Sequence, residues 1–387
     1  MQKKPHGRYG INMNKLFGGI FEEKKVLVTG HTGFKGSWLT LWLKELGAKV
    51  IGYSLHPPTD PSLFEIIKLD EHITNIVGNV LDYEHLLSVL EEYQPEIVFH
   101  LAAQPLVRVS YEDSRLTYET NVMGTVNILE AIRRGSTSGK CNSVQAGVII
   151  TSDKCYENKE WEYAYRENDS LGGYDPYSSS KACAEIVTAA YRNSFFNPEK
   201  HDGHTSIASV RAGNVIGGGD WGLDRIVPDI IRAIGANEPV VLRNPQAIRP
   251  WQYVLEPLSG YLWLASLMCQ DAKRYGSAWN FGPQHQGHVT VQQLVEKIIA
   301  RWENGTWQLE NNQIQPHEAN YLSLDCTKSN NILKWHPVYS LDETMDETVR
   351  WYQGYYENNS EMYSFTKKQI FSYVEKARKC DLIWTQG

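Results

Sequence analysis

From Lys25 onward, short apolar blocks alternate with longer stretches of helical period. "KKVLVTG" (24–30) predicts a buried strand, and Leu39, Trp42, Leu43 and Leu46 then recur at helical spacing until Gly47 supplies a stop. "AKVIGYS" (48–54) and "EIVFHLAA" (96–103) predict the next strands, and "YETNVMGTVNILEAIRR" (118–134) predicts a helix. "AGVIITS" (146–152) is again a strand, "YSSSKACAEIVTAAYRNSF" (177–195) a long helix, and "TSIASVRAGNVIG" (205–217) a strand. Strands and helices that alternate at this length form βαβ units, so the expected fold class is α/β with a doubly wound parallel sheet. Beyond Gly217 the pattern loosens among glycines, prolines and tryptophans. "GSAWNFGP" (276–283) predicts one further strand and "FTKKQIFSYVEKARKC" (365–380) a helix, the rest forming a smaller lobe over the strand ends. No internal repeat is present.

Composition narrows the class without naming a chemistry. The chain has 387 residues, 42% hydrophobic and 21% charged, which is enough for one large fold with an added lobe or for two domains. A formal charge of −7 argues against general attraction to nucleic acid or an anionic membrane. "YLWLASLMC" (261–269) is far short of the roughly 20 apolar residues of a membrane span. "LFGGIF" (16–21) is too short and glycine-broken for a secretory core, and Met13 offers a second start, so residues 1–24 are expected to be an extension. The six cysteines (141, 155, 183, 269, 326 and 380) are scattered without zinc spacing, which implies reduced thiols, a cytoplasmic location and no metal.

Chemistry enters with the glycines. "VTGHTGFKG" (28–36) sets Gly30, Gly33 and Gly36 between a strand and a helix, where the backbone turns sharply and free N–H groups meet a pyrophosphate. A glycine triplet also serves ordinary turns, but after the first strand of a βαβ chain it predicts a Rossmann dinucleotide site. The end of the second strand reads Tyr53-Ser54-Leu55-His56, with neither the acid that usually holds a ribose 2′-OH nor an arginine for a 2′-phosphate. Ser54 is a hydrogen-bonding candidate there, which favours NAD. In "GNVLD" (78–82), Asn79 and Val80 are candidates for the adenine.

A second set lies further along. "VIITSDKCY" (148–156) delivers Ser152, Asp153 and Lys154 at the tip of a buried strand, either as a polar strand-ending turn or as a proton-transfer set. "YSSSK" puts Tyr177 and Lys181 on one helix face, four residues apart. An ammonium beside a phenol favours phenolate, so the expectation is a Tyr177 pKa drawn down from about 10 toward neutrality. Tyr-x-x-x-Lys alone is a chance pattern; behind a glycine loop, with Ser152 on the intervening strand end, it is a specific combination.

These residues resemble the extended short-chain dehydrogenase/reductase family over roughly residues 25–352, together with "HLAAQ" (100–104), "TNVMGT" (120–125), "RAGNVIG" (211–217) and "LDCTKSNNILKWHP" (324–337). Within it, Asp153-Lys154 after the strand-end hydroxyl, with "FHLAAQPLVRVSY" and "GGGDWGLDRIVPD", resembles the sugar-nucleotide 4,6-dehydratase branch. The resemblance implies an NAD-dependent lyase with CDP-glucose as substrate, a place in deoxysugar and lipopolysaccharide O-antigen biosynthesis, and a homodimer built through a four-helix bundle from helices near 114–134 and 177–196. It implies a dinucleotide-binding domain (25–212 with 251–283) and a substrate-binding lobe with the tail (213–250 with 284–387). Catalytic roles fall on Ser152, Asp153, Lys154, Tyr177 and Lys181. Thr32, Phe34, Leu101, Ala102, Ala103 and Asn121 join the cofactor set, and Gln104, Asn214, Arg225, Arg249, His317 and Glu318 the substrate set. Trp221 or Trp251 is a candidate to stack on the cytosine. Lys154 is either the neutral base for the sugar C5 proton or a cation that stabilises the enolate. A nucleotide-sugar 4-epimerase would share the loop, Tyr177 and Lys181 without needing Asp153-Lys154. A non-catalytic dinucleotide sensor would need none of these side chains.

Overall fold

The computed structural model describes residues 12–200, 205–283, 288–310 and 321–386. Seven strands form one sheet: β1 (Lys25–Thr29), β2 (Lys49–Ser54), β3 (Thr74–Val77), β4 (Ile97–His100), β5 (Ala146–Ile150), β6 (Ser206–Ala212) and β7 (Ala278–Phe281). Their order is β7-β6-β5-β4-β1-β2-β3, and every neighbouring pair is parallel. The order reverses between β1 and β4, and the crevice at such a switch point is where open α/β sheets bind ligands. The α/β doubly wound expectation is met, including β7 from "GSAWNFGP".

Both faces of the sheet are covered, which explains why its strands read as apolar runs rather than alternating ones. Val26 and Val28 point to one side and Leu27 to the other, as a period of two requires. On the Leu27 side the covering helices are those at Tyr83–Tyr93 and Gly124–Ser138, whose Leu86, Leu90, Ile128 and Ile132 share a cluster with Ile51 and Val98. On the other side, α1 (Phe34–Glu45) packs Trp38 and Trp42 among Phe99, Val148 and the buried helix at Leu255–Gln270. That last helix contains "YLWLASLMC", and no helix among the described residues is long and apolar enough to cross a membrane.

The stretch predicted as one helix over 118–134 is broken. Helical residues begin at Ser114, widen into a π-turn at Glu119–Met123, and resume as α2 (Gly124–Ser138). Single π-turns recur at functional sites because the extra residue re-aims a side chain; here it is Asn121. The long helix predicted over 177–195 is α3 (Pro176–Ser194), with Pro176 in its first turn and Asp175 capping it by accepting from the Ser178 N–H. The C-terminal run forms α4 (Met362–Lys379). It packs on the outer side of α1, where Tyr373 and Trp384 meet Trp42, and Trp384 stacks on Phe17 at 4.9 Å.

Candidate active site

The glycine loop joins β1 to α1. Gly30 has φ of +74°, and a Cβ there would sit 2.7 Å from the Ala102 nitrogen; at Gly36 it would sit 2.1 Å from the Gly30 carbonyl oxygen. Neither position admits a side chain. The N-cap Gly33 makes no side-chain cap, so the first N–H groups of α1 (at Phe34 and beyond) have no side chain answering them. A cradle kept free of side chains, at a helix N-terminus on the switch point, fits a pyrophosphate. Beyond it, the Thr32 and Ser54 hydroxyls are 2.9 Å apart, and Thr32 donates to the Leu55 carbonyl. Ser54 is the last residue of β2. Asn79 accepts from Leu81 N–H and, through its carbonyl, from the Tyr53 hydroxyl, while Val80 is buried against Gly124. Leu101, Ala102 and Ala103 leave β4 alongside the loop, Leu101 and Ala102 donating to the Thr29 carbonyl and hydroxyl.

The other set converges at the carboxyl end of β5. Ser152 donates to Asp153 (2.9 Å) and accepts from the Lys154 N–H (3.2 Å), which folds residues 153–155 into a tight turn. The Lys154 Nζ lies 5.9 Å from the centroid of the Tyr177 ring. Asp153 is 4% exposed, and burial raises its pKa against the opposing pull of Lys154 and Ser152. The turn therefore carries a carboxyl inclined to keep its proton, as an acid for a leaving hydroxyl must. Asn121 accepts from the Gln104 N–H and donates to the Gln104 carbonyl and the Ser180 hydroxyl, fastening the loop after β4 to α3.

Tyr177 departs from the expectation. Burial pushes its pKa up to about 12, with Asp153 adding to the rise while Ser152 and Arg225 oppose it. Lys181 is itself drawn down to about 8 by burial and by the nearby Lys35 ammonium. An i, i+4 spacing predicts proximity but not desolvation, and desolvation wins in the chain by itself.

The substrate candidates are dispersed. Arg225 pairs with Asp220, its Nη1 3.0 Å from both carboxylate oxygens, and its charge reaches Tyr177. Arg249 lies on the short strand Ile248–Pro250 and donates to the Ile248 carbonyl, and the Asn214 carbonyl accepts from the Gln252 N–H. The Gln104 amide is committed to Leu106 and Thr117. His317 and Glu318 lie outside the described residues. Of the two tryptophans, Trp221 (7% exposed) meets Tyr352 and Tyr355 edge-on, and Trp251 (5%) belongs to the same core cluster.

Two features escaped the sequence reading. Lys35, inside "GFKG", reaches the charges of Asp153, Lys181 and Arg225, and burial lowers its pKa to about 8. A lysine between the second and third glycines of the phosphate loop was the available signal. Glu185 and Arg211 form a buried ion pair behind the turn. Glu185 stands four residues after Lys181, and Arg211 interrupts an apolar strand.

A doubly wound parallel sheet with a glycine cradle at its switch point and a Tyr/Lys pair on the helix after β5 defines the extended short-chain dehydrogenase/reductase class. Within that class, the family model described as GDP-mannose 4,6 dehydratase matches residues 27–348, and the chain belongs to that family. It is 50% identical over 357 residues to CDP-glucose 4,6-dehydratase of Salmonella typhimurium, covering 92% of this chain and 97% of that protein. It is 32% identical to GDP-mannose 4,6-dehydratase of Yersinia enterocolitica over 70% of each. Among solved structures, dTDP-glucose 4,6-dehydratase of Bacillus anthracis in complex with NAD superposes with a TM-score of 0.68 at 21% identity, covering 88% of this chain and 99% of that one. UDP-glucose 4-epimerase of Thermotoga maritima with UDP-glucose gives 0.70 at 21% identity, covering 85% and 98%. At that identity the likeness is one of fold.

Proposed function

We propose that the chain is an NAD-dependent sugar-nucleotide 4,6-dehydratase that converts CDP-glucose to CDP-4-keto-6-deoxyglucose and water. The observation that carries the reading is the convergence of Asp153 and Lys154 with Tyr177 at the end of β5, beside the glycine cradle. A 4-epimerase needs the glycine cradle, Tyr177 and Lys181 but not Asp153 and Lys154. The half-identical relative from Salmonella, matched along nearly its whole length, supports CDP-glucose over other nucleotides.

In this reading Gly30, Thr32, Gly33, Phe34 and Gly36 hold the pyrophosphate of NAD, Ser54 its ribose, and Asn79 and Val80 its adenine. Leu101, Ala102, Ala103 and Asn121 complete the nicotinamide side with Tyr177 and Lys181. Bound NAD would accept the hydrogen of sugar C4, return it to C6, and bring a positive charge near a phenol that the bare chain holds at about 12. Tyr177, with Ser152 and Lys181 beside it, takes the proton of the 4-OH. The 4-ketone acidifies C5–H, and the neutral amine of Lys154 removes that proton. Asp153 gives its proton to the 6-OH, which departs as water, leaving a C5–C6 double bond. When hydrogen returns to C6, a proton goes back to C5, so the net change is loss of one water. Arg225, Arg249, Asn214, Gln104, His317 and Glu318 are assigned to the substrate side, arginine forks matching a diphosphate.

The apolar residues Leu116, Met123 and Ile186 are exposed on adjacent helices (42%, 48% and 55%), and a second copy covering them as a four-helix bundle accounts for that surface. A cytoplasmic location and a role in O-antigen deoxysugar supply fit the same reading.

CDP-glucose deuterated at C4 is the test. A dehydratase delivers the label to C6 of a 4-keto-6-deoxy product and, in deuterium oxide, takes solvent deuterium at C5. Label retained at C4 with inverted configuration would mean an epimerase, and no product a sensor. Dehydration of UDP- or TDP-glucose alone would overturn the choice of nucleotide.

A further inference from the structure

The Glu185–Arg211 pair has no part in the steps above, yet it is among the most buried charges in the chain. Glu185 is 2% exposed and Arg211 3%, with Oε2 and Nη2 2.8 Å apart. Replacing such a pair by apolar side chains is often neutral or stabilising, so stability alone gives little reason for it. What its hydrogen bonds join gives a better one. Glu185 lies on α3, one turn beyond Lys181 and two beyond Tyr177, facing the same way. One carboxylate oxygen accepts from the Thr151 hydroxyl, and the other from the Ser209 hydroxyl of β6 at 2.7 Å. Arg211 donates from Nη1 to the Tyr156 hydroxyl (2.6 Å) and to the Glu167 carbonyl (3.0 Å), and its guanidinium lies 4.8 Å from the centroid of the Tyr156 ring. Thr151 and Tyr156 are the residues on either side of the turn that carries Ser152, Asp153 and Lys154. The pair thus grips that turn at both ends and ties it to the helix that presents Tyr177 and Lys181.

Charge makes a second link. The groups whose charges meet Lys181 come from four elements: Lys35 on α1, His100 on β4, Cys155 in the turn and Glu185 on α3 itself. Lys35 opposes the ammonium. Burial keeps His100 neutral, its pKa lowered to about 3, and raises the Cys155 thiol well above its usual range, so neither is charged near neutrality. Glu185 is held ionised by Arg211 in spite of its burial, and it is the carboxylate of this group.

We infer that Glu185, clamped by Arg211, is a positioning residue for the dehydration proposed above. It sets the 152–155 turn against α3 and keeps Lys181 cationic. The inference rests on that reading of Tyr177 and Lys181, and two variants separate its parts.

Thr151→Val removes one hydroxyl from the grip and leaves the ion pair whole, so the fold is retained. In a single turnover with NAD and CDP-glucose, C4 oxidation, to which the turn contributes only Ser152, should slow less than elimination, which uses both Asp153 and Lys154. Elimination should slow by about tenfold to a hundredfold, the scale of a small misplacement, so that 4-keto sugar with its 6-OH accumulates. Equal loss in both steps, or none in either, would overturn the alignment.

Glu185→Gln removes the charge. In protein labelled with ¹³Cε-lysine, with the Lys181 signal assigned through Lys181→Arg, the titration midpoint should fall below that of wild type, and the alkaline limb of C4 oxidation should move to lower pH with it. If the stranded Arg211 prevents folding, Glu185→Gln/Arg211→Met removes both charges and carries the same expectation. A Lys181 midpoint unchanged in either folded variant would overturn the electrostatic role. The titration needs no turnover, so it stands even if wild type dehydrates no sugar nucleotide, a result that would count against the proposed function instead.

Discussion

Lys154 and Tyr177 are near neighbours, but losing one should stop the reaction at a different point from losing the other. Tyr177→Phe deletes the group that takes the 4-OH proton, so reduced cofactor should not form. Lys154→Met leaves Tyr177 and Lys181 in place, so C4 oxidation should proceed and the chain should stall with reduced cofactor and a 4-keto sugar that keeps its 6-OH. Loss of a general base costs about 10²–10⁴ in rate, and rapid-quench product analysis distinguishes the two arrests. Turnover of Lys154→Met within a few-fold of wild type would remove Lys154 from the mechanism. Asp153, Lys154, Tyr177 and Lys181 were all legible in the sequence as residue types at telling spacings. Their ionisation was not. The Tyr177 phenol sits at about 12 rather than near neutrality because burial outweighs the opposing Ser152 hydrogen bond and Arg225 charge, and burial is a property of everything packed around it.

At the scale of elements, the link between β1 and α1 leaves no room for an added side chain. Gly36→Ala would drive a methyl to 2.1 Å from the Gly30 carbonyl oxygen, where backbone rather than a flexible side chain must yield. The expected outcome is at least a tenfold weaker dissociation constant for NAD by titration calorimetry, since the loop can no longer close its cradle. Destabilisation of about 1–3 kcal/mol in urea should accompany it, the usual cost of overpacking. Wild-type affinity in this variant would argue against the loop as the pyrophosphate site. Helix boundaries taught the complementary lesson. Residues 118–134 have a continuous helical pattern, yet the π-turn at Glu119–Met123 breaks it so that Asn121 can reach both Gln104 and Ser180. Nothing local demands that extra residue; partners far away in sequence do.

For the whole molecule, the question is what covers the apolar surface of α3 and the helix before it. Met123→Glu and Ile186→Glu change residues that are 48% and 55% exposed in the single chain, so folding should be unaffected while the proposed dimer is lost. Sedimentation equilibrium should show the double variant as a monomer at concentrations where the wild type is a dimer, with the same thermal unfolding midpoint per monomer at low concentration. A monomeric wild type would set the four-helix interface aside.

The apolar blocks and their spacing determined, without any coordinates, that the chain is a doubly wound parallel sheet, that its glycines stand at the first strand–helix junction, and that a Tyr/Lys pair follows the strand ending in Ser152-Asp153-Lys154. These are local quantities, set by periodicity and by which residues tolerate a tight turn. Tertiary structure alone decided that Lys35 looks into the same cluster, that Trp221 and Trp251 are buried in one core with the C-terminal helices, and that Glu185 and Arg211 hold the turn from behind. Each of those depends on contacts between segments separated by many residues, and on how much water the packing removes from a charge. No short stretch of sequence carries either quantity.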